Sequence, residues 1–265
     1  GQVTQVTTDG MNNEIINGVT DWVYEEEFAF VRAFEWNKTG TKIAYLRFDE
    51  ANVPEFSMDV YGKSLYQTQH VFKYPKAGEE NSKVTLYIHD VKSRKNNQVI
   101  VNDYEYIPRL KWTKDTNVLS FQKTNRHQNK LDLVFVNATD FSTKTILTDS
   151  DPAYVDVTDN LTFLSNNSFI WTSEKDGYNH IYHYSKSGKL INQVTKGNWE
   201  VTNYYGFDDK KEMIYYQSVE NGSINRDVYA ININGNGKKR LSSKTGTNNA
   251  TFSNNFTYYI NTFSN

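Results

Sequence analysis

The 265 residues contain no cysteine, so disulfide frameworks, cysteine-ligated zinc and thiol catalysis are all excluded. Nor is there an excess of either charge. Against 31 Asp+Glu stand 29 Lys+Arg, a formal net charge of −2, and such a chain presents no general positive field to a phosphate backbone. No nucleic-acid partner is expected. Apolar runs of about 18 residues are missing, as is a basic N-terminal segment followed by an apolar stretch, so no membrane span or signal peptide is visible. Apolar spacing at three and four residues is not sustained anywhere, which argues against long helices. Several catalytic signatures are missing too: Gly-x-Ser-x-Gly, His-Glu-x-x-His, a phosphate-binding glycine loop and an EF-hand loop. No cofactor and no metal are expected. His180 and His183, the one suggestive histidine pair, sit at i, i+3, a spacing that sends the two side chains to opposite faces of a strand.

Strand-forming residues are abundant. Hydrophobic residues make up 37% of the chain and aromatics 15%, enough apolar side chain for an ordered core. Many lie in short alternating runs such as Lys42 to Phe48, Val84 to Ile88, Leu131 to Val136 and Met213 to Tyr216. β-branched and aromatic residues at period two suit a pleated, half-buried surface. Turn clusters separate the runs, among them Asn37-Lys38-Thr39-Gly40, Ser185-Lys186-Ser187-Gly188 and Asn234-Gly235-Asn236-Gly237.

The runs also repeat. An aliphatic followed by an aromatic recurs at Leu86-Tyr87, Val134-Phe135, Ile181-Tyr182 and Val228-Tyr229, at intervals of 48, 47 and 47 residues. A second landmark, an aromatic before a turn, falls at Trp36, Trp112, Phe163, Phe207 and Phe252, with intervals of 76, 51, 44 and 45. An insertion over 49–82 accounts for the long first interval. Units of roughly 40 to 50 residues with about four strands each predict an all-β chain of β-propeller blades, four-stranded and antiparallel. A generic β-sandwich with evenly spaced turns is the alternative. The phasing predicts full blades near 105–150, 151–198 and 199–245. Residues 1–104 then hold a partial blade and a blade carrying the insertion, 246–265 another partial blade, and 2–8 the last strand of an earlier one. The whole of 1–265 reads as a single incomplete arc cut from a longer propeller, with exposed edges able to pair with another copy.

One segment carries chemistry. In Asp21-Trp22-Val23-Tyr24-Glu25-Glu26-Glu27-Phe28 three carboxylates stand in a row among aromatics. A solvated acidic turn is one reading. Packing of Trp22, Tyr24, Phe28 and Phe30 against the body gives another, in which neighbouring carboxylates repel until a cation arrives and so form a receptor for an ammonium group.

Asp21 to Glu27 closely resembles the double-glutamate motif of the dipeptidyl peptidase IV family, serine peptidases of the prolyl oligopeptidase group. The likeness continues through Trp36 to Tyr45, Phe72-Lys73-Tyr74-Pro75-Lys76-Ala77-Gly78-Glu79-Glu80-Asn81, Asp176 to Tyr182 and Thr195-Lys196-Gly197-Asn198-Trp199-Glu200-Val201. This resemblance implies an eight-bladed propeller set over a C-terminal α/β-hydrolase domain that this chain lacks, with the triad Ser, Asp and His on that domain. It implies that Glu26 and Glu27, on a short helical excursion from a blade, bind the free α-amine of a peptide substrate, so that dipeptides ending in Pro or Ala are released. Glu25 is given a structural role. A tripeptidyl peptidase of the same group remains open, as does a non-catalytic propeller that binds a protein or glycan. By the same resemblance the fragment alone is inactive, the parent is a homodimer with 49–82 as the candidate extension, and the location is the periplasm or cell surface of a bacterium. Around Tyr154 to Thr162 the likeness is broken by gaps, and no role is assigned there.

Overall fold

The computed structural model describes residues 1–264. They form two compact units, Gly1–Thr145 and, from Ile146 onward, the remainder of the described residues.

In the first unit β1 (Ile15–Asn17) is followed by the only helix among the described residues, α1 (Trp22–Glu27), and then by β2 (Phe34–Trp36) and β3 (Lys42–Asp49). The insertion folds as a hairpin of β4 (Glu55–Val60) and β5 (Thr68–Lys73), a two-stranded sheet of its own. β6 (Lys83–Asp90) and β7 (Lys95–Val99) then complete the first sheet, in the order β1-β3-β6-β7 with β2 also on β3. β1 and β2 share one edge of β3: Ile15 to Asn17 pair with Arg47 to Asp49, and Phe34 to Trp36 with Ile43 to Tyr45. β8 (Tyr106–Trp112), β9 (Val118–Thr124), β10 (Lys130–Asn137) and β11 (Thr143–Ser150) make the next sheet, in reverse order along its width. Within the first unit Trp112 Nε1 donates to the Glu35 carbonyl at 2.9 Å, and the Asn37 amide to that of Thr116 at 3.1 Å, tying the start of one sheet to the next.

The second unit repeats the plan twice. One sheet runs β12 (Thr162–Phe163), β13 (Phe169–Ser173), β14 (His180–Tyr184), β15 (Leu190–Gln193); the other runs β16 (Val201–Asp208), β17 (Met213–Ser218), β18 (Asp227–Asn232), β19 (Lys239–Arg240). A hairpin of β20 (Thr247–Phe252) and β21 (Tyr259–Ser264) follows. Between the two four-stranded sheets lies a core that includes Ile170, Ile181, Ile214, Tyr216 and Ile231.

Inner strands are buried on both faces, as all five residues of β13 and five of the six in β17 show, while outer strands β7, β11 and β15 are largely exposed. A strand covered on both sides must be apolar at consecutive positions, which is why the inner strands carry the unbroken Val, Ile, Phe and Tyr runs. The aliphatic–aromatic landmark marks the third strands β6, β10, β14 and β18. The aromatic landmark lies in the first strands β2, β8, β12 and β16, and again in β20. The fold is thus all-β, built of the four-stranded antiparallel sheets of a β-propeller.

Residues 2–8 are not a strand. They run exposed, with Val3 95% accessible, and Val6 touches the body through the Asn96 amide on its carbonyl at 2.9 Å. Alternation of Val and Thr cannot make a strand without a ladder partner.

Candidate functional site

The chain leaves the edge of β3 at Gly18 and returns at Ala33, and both ends are fixed to Leu46. Gly18 N–H donates to the Leu46 carbonyl at 2.9 Å, and Leu46 N–H donates to that of Ala33 at 2.9 Å. The neck is closed by Thr20 N–H on Val31 O at 3.1 Å and by Thr20 Oγ1 on Phe30 O at 3.0 Å. Everything between is an excursion whose centre is α1.

Six residues are too few for a helix to persist alone in water. Asp21 caps this one, its Oδ1 accepting from Tyr24 N–H at 3.0 Å while its Oδ2 accepts from Ser82 Oγ at 2.6 Å. Burial pushes the Asp21 carboxyl up from its ordinary value, against the opposing pull of those hydrogen bonds. Tyr24 is the anchor. It is 1% exposed, with edge-on ring contacts to Phe28, Phe30, Phe48 and Tyr106. Its hydroxyl accepts from Ile107 N–H at 2.9 Å, a donor that the register shift of β8 between Tyr106 and Arg109 releases from the ladder. On the flanks Trp22 packs on Tyr74 with ring centres 4.2 Å apart, and the Arg109 guanidinium lies 5.3 Å over Phe30. Past the helix, Ala29 takes φ +54° and turns the chain back.

This scaffold presents Glu25, Glu26 and Glu27 to solvent. Among the described residues, Glu26 and Glu27 have no hydrogen-bond or ion-pair partner, so both carboxylates are available to a cation. Glu27 faces a polar cluster. Burial, with added repulsion from Glu105 and Glu27, pushes the Tyr106 hydroxyl above its ordinary pKa. That hydroxyl accepts from the Asn81 amide at 2.8 Å, Asn81 also donates to Glu105 at 2.8 Å, and Arg126 holds Glu105 at 2.9 Å and the Glu79 carbonyl at 2.8 Å. Arg126 is therefore committed to Glu105 and the backbone.

The sequence singles out Glu26 and Glu27 and the packing of Tyr24 beneath them, but not the supports Asp21, Ser82 and Ile107. Asp21 had a legible signal, an Asp opening a short helix. Ser82 lies 61 residues further on, and nothing in the sequence links it to Asp21. His180 and His183 are structural: His180 is held by Thr195 Oγ1 and Gly197 O, each at 3.0 Å, and His183 by Ser168 Oγ at 2.9 Å. No group of three metal-ligating side chains is assembled among the described residues.

The family described as dipeptidyl peptidase IV (DPP IV) N-terminal region matches residues 1–265. A probable dipeptidyl-aminopeptidase B of Phaeosphaeria nodorum is 31% identical over 277 residues, covering 92% of this chain and 30% of that protein. A probable dipeptidyl peptidase 4 of Aspergillus flavus is 30% identical over 286 residues, covering 99% of this chain and 37% of that protein. Among solved structures, the crystal structure of Porphyromonas gingivalis dipeptidyl peptidase 4 superposes with a TM-score of 0.93 at 42% identity, over 98% of this chain and 37% of that one. The chain spans about a third of the length of these relatives.

Proposed function

The chain belongs to the dipeptidyl peptidase IV N-terminal region family, and from that premise we propose that it is the propeller part of a serine exopeptidase, with Glu26 and Glu27 as receptors for the substrate's free α-amine. The observation that carries this reading is the pair of exposed, unpartnered carboxylates on a helix that is itself fixed at Asp21, Tyr24 and Trp22. A rigid mount matters because the anchor must set a distance. Once the amine is held, the number of residues between it and a nucleophile fixes where the peptide is cut. Two such residues give release of dipeptides, with Pro or Ala second.

The nucleophile, base and third triad member belong, on this reading, to an α/β-hydrolase domain of the same protein. The propeller contributes binding and orientation. Loss of one partner from such a charge-assisted contact typically costs about 2 to 5 kcal/mol. The β4–β5 hairpin supports a homodimer of the parent, because it is detached from the larger sheets and displays Val60, Tyr61, Leu65 and Tyr66 to solvent. A bacterial periplasm or cell surface is the proposed location, supported by the higher identity to the Porphyromonas protein than to the fungal ones.

Cleavage of Gly-Pro-nitroanilide and of its N-acetylated form by the full-length protein tests the proposal. Cleavage of the free-amine substrate alone is expected. Equal cleavage of both would remove the amine anchor from the account.

A further inference from the structure

Helix α1 divides its acidic triplet. Asp21 and Glu25, four residues apart, lie on one side of the helix and line a cavity of about 460 Å³ that Glu26 and Glu27 do not touch. Trp22, Phe72 from the hairpin, and Glu50 just after β3 are also in its wall.

Glu50 is the unexplained group. The residue is only 6% exposed, and among the described residues its carboxylate has no hydrogen bond and no ion pair. Burial, reinforced by the charge of Asp21, pushes its pKa up, with Lys73 opposing. Lys73, the one basic residue in the wall, is engaged elsewhere: its Nζ donates to the Val53 carbonyl at 2.9 Å and to that of Ala51 at 3.3 Å, and pairs with Glu55 at 3.7 Å. The Glu50 side chain is largely buried, its carboxylate keeps contact with solvent without a protein partner, and with two further carboxylates beside it the cavity is short of positive charge. Aromatic rings in the wall favour a soft organic cation. A metal is a poor fit, because no three-ligand group is assembled among the described residues.

We propose that this cavity is a second cation site, separate from the Glu26/Glu27 anchor, which takes an ammonium or guanidinium group on an apolar stem, with Glu50 and Asp21 as acceptors and Trp22 and Phe72 as walls. The cation comes either from a free small molecule or from a Lys or Arg side chain of a peptide.

The test is calorimetric titration of the full-length protein with n-butylammonium, n-butylguanidinium, N-acetyl-lysine amide and N-acetyl-arginine amide, with n-butanol as the neutral control. Binding of the cations but not of butanol is expected. Glu50→Gln should weaken it about tenfold or more, the loss of a charge-assisted contact. Phe72→Leu, which leaves every charge in place, should weaken it less, and the double variant Glu26→Gln/Glu27→Gln should retain it. If the blocked amino acids bind, the site reads side chains; if only the alkyl cations bind, it takes free amines. Affinity unchanged in Glu50→Gln, or no preference for cations over butanol, would overturn the site. Loss of all binding in the double variant would reassign it to the amine anchor.

Discussion

Asp21 uses both carboxylate oxygens, one on the helix it caps and one on Ser82, yet burial works against its charge. The two effects separate on substitution. Asp21→Asn can keep the cap and reverse the Ser82 bond without a buried charge, and should cost under about 1 kcal/mol; Asp21→Ala forfeits the cap and should cost about 1 to 2 kcal/mol by chemical denaturation. Glu50 behaves differently, since its carboxylate has no hydrogen bond to lose. Its pKa is raised in the folded state, so the folded protein binds the proton more tightly than the unfolded chain does. The stability that proton brings is present at acid pH and is lost as pH rises through the raised pKa. Glu50→Gln should therefore melt higher than wild type near about pH 7, with the gap closing toward about pH 4. A gap that widens on acidification would contradict the assignment.

At the scale of elements, α1 is a local structure made by distant partners. Tyr24→Phe leaves the Ile107 N–H buried without an acceptor and should destabilise the chain by about 1 to 3 kcal/mol, measured by denaturant titration. In the second unit Gly188 takes φ +84°, and a Cβ there would sit 1.9 Å from the Ile146 carbonyl oxygen, so Gly188→Ala should cost more than about 2 kcal/mol in the same assay. Much of the sheet architecture was legible in the sequence because inner strands announce themselves: Leu86-Tyr87 and its three successors sit at a fixed place in each sheet, and two-sided burial demands apolar runs there. The hairpin at 49–82 could be read only as an insertion. Its strands are exposed on both sides, and no burial pattern marks Glu55 to Val60. The supposed strand at 2–8 failed for the complementary reason, since an alternating pattern is necessary for a strand but does not supply a partner. At the site, the glutamates were legible as an acidic run among aromatics. Glu50 was not, because a single Glu after a strand has no signature until the fold buries it.

At the scale of the whole molecule, the repeat divides the labour. In the second unit two sheets share the core that contains Ile181 and Ile214, and in the first the proposed functions fall on what departs from the repeat: the excursion between β1 and β2, and the hairpin between β3 and β6. Two expectations belong at this level. The 265-residue chain alone should not hydrolyse a dipeptide-nitroanilide, since the proposed triad lies in another domain. In the full-length protein, Leu65→Asp with Tyr66→Asp should shift a dimer toward monomer in light scattering, because those side chains, 99% and 81% exposed, are offered as its contact surface.

Glu26 and Glu27 are proposed to hold the substrate's amine. The most direct measurement is the ratio of kcat/KM for Gly-Pro-nitroanilide to that for its N-acetylated form, in full-length wild type, Glu26→Gln and Glu27→Gln. The account predicts a large ratio in wild type that collapses in each variant through loss of free-amine cleavage, by the roughly 2 to 5 kcal/mol of a broken charge-assisted contact. A ratio that survives both substitutions would contradict it.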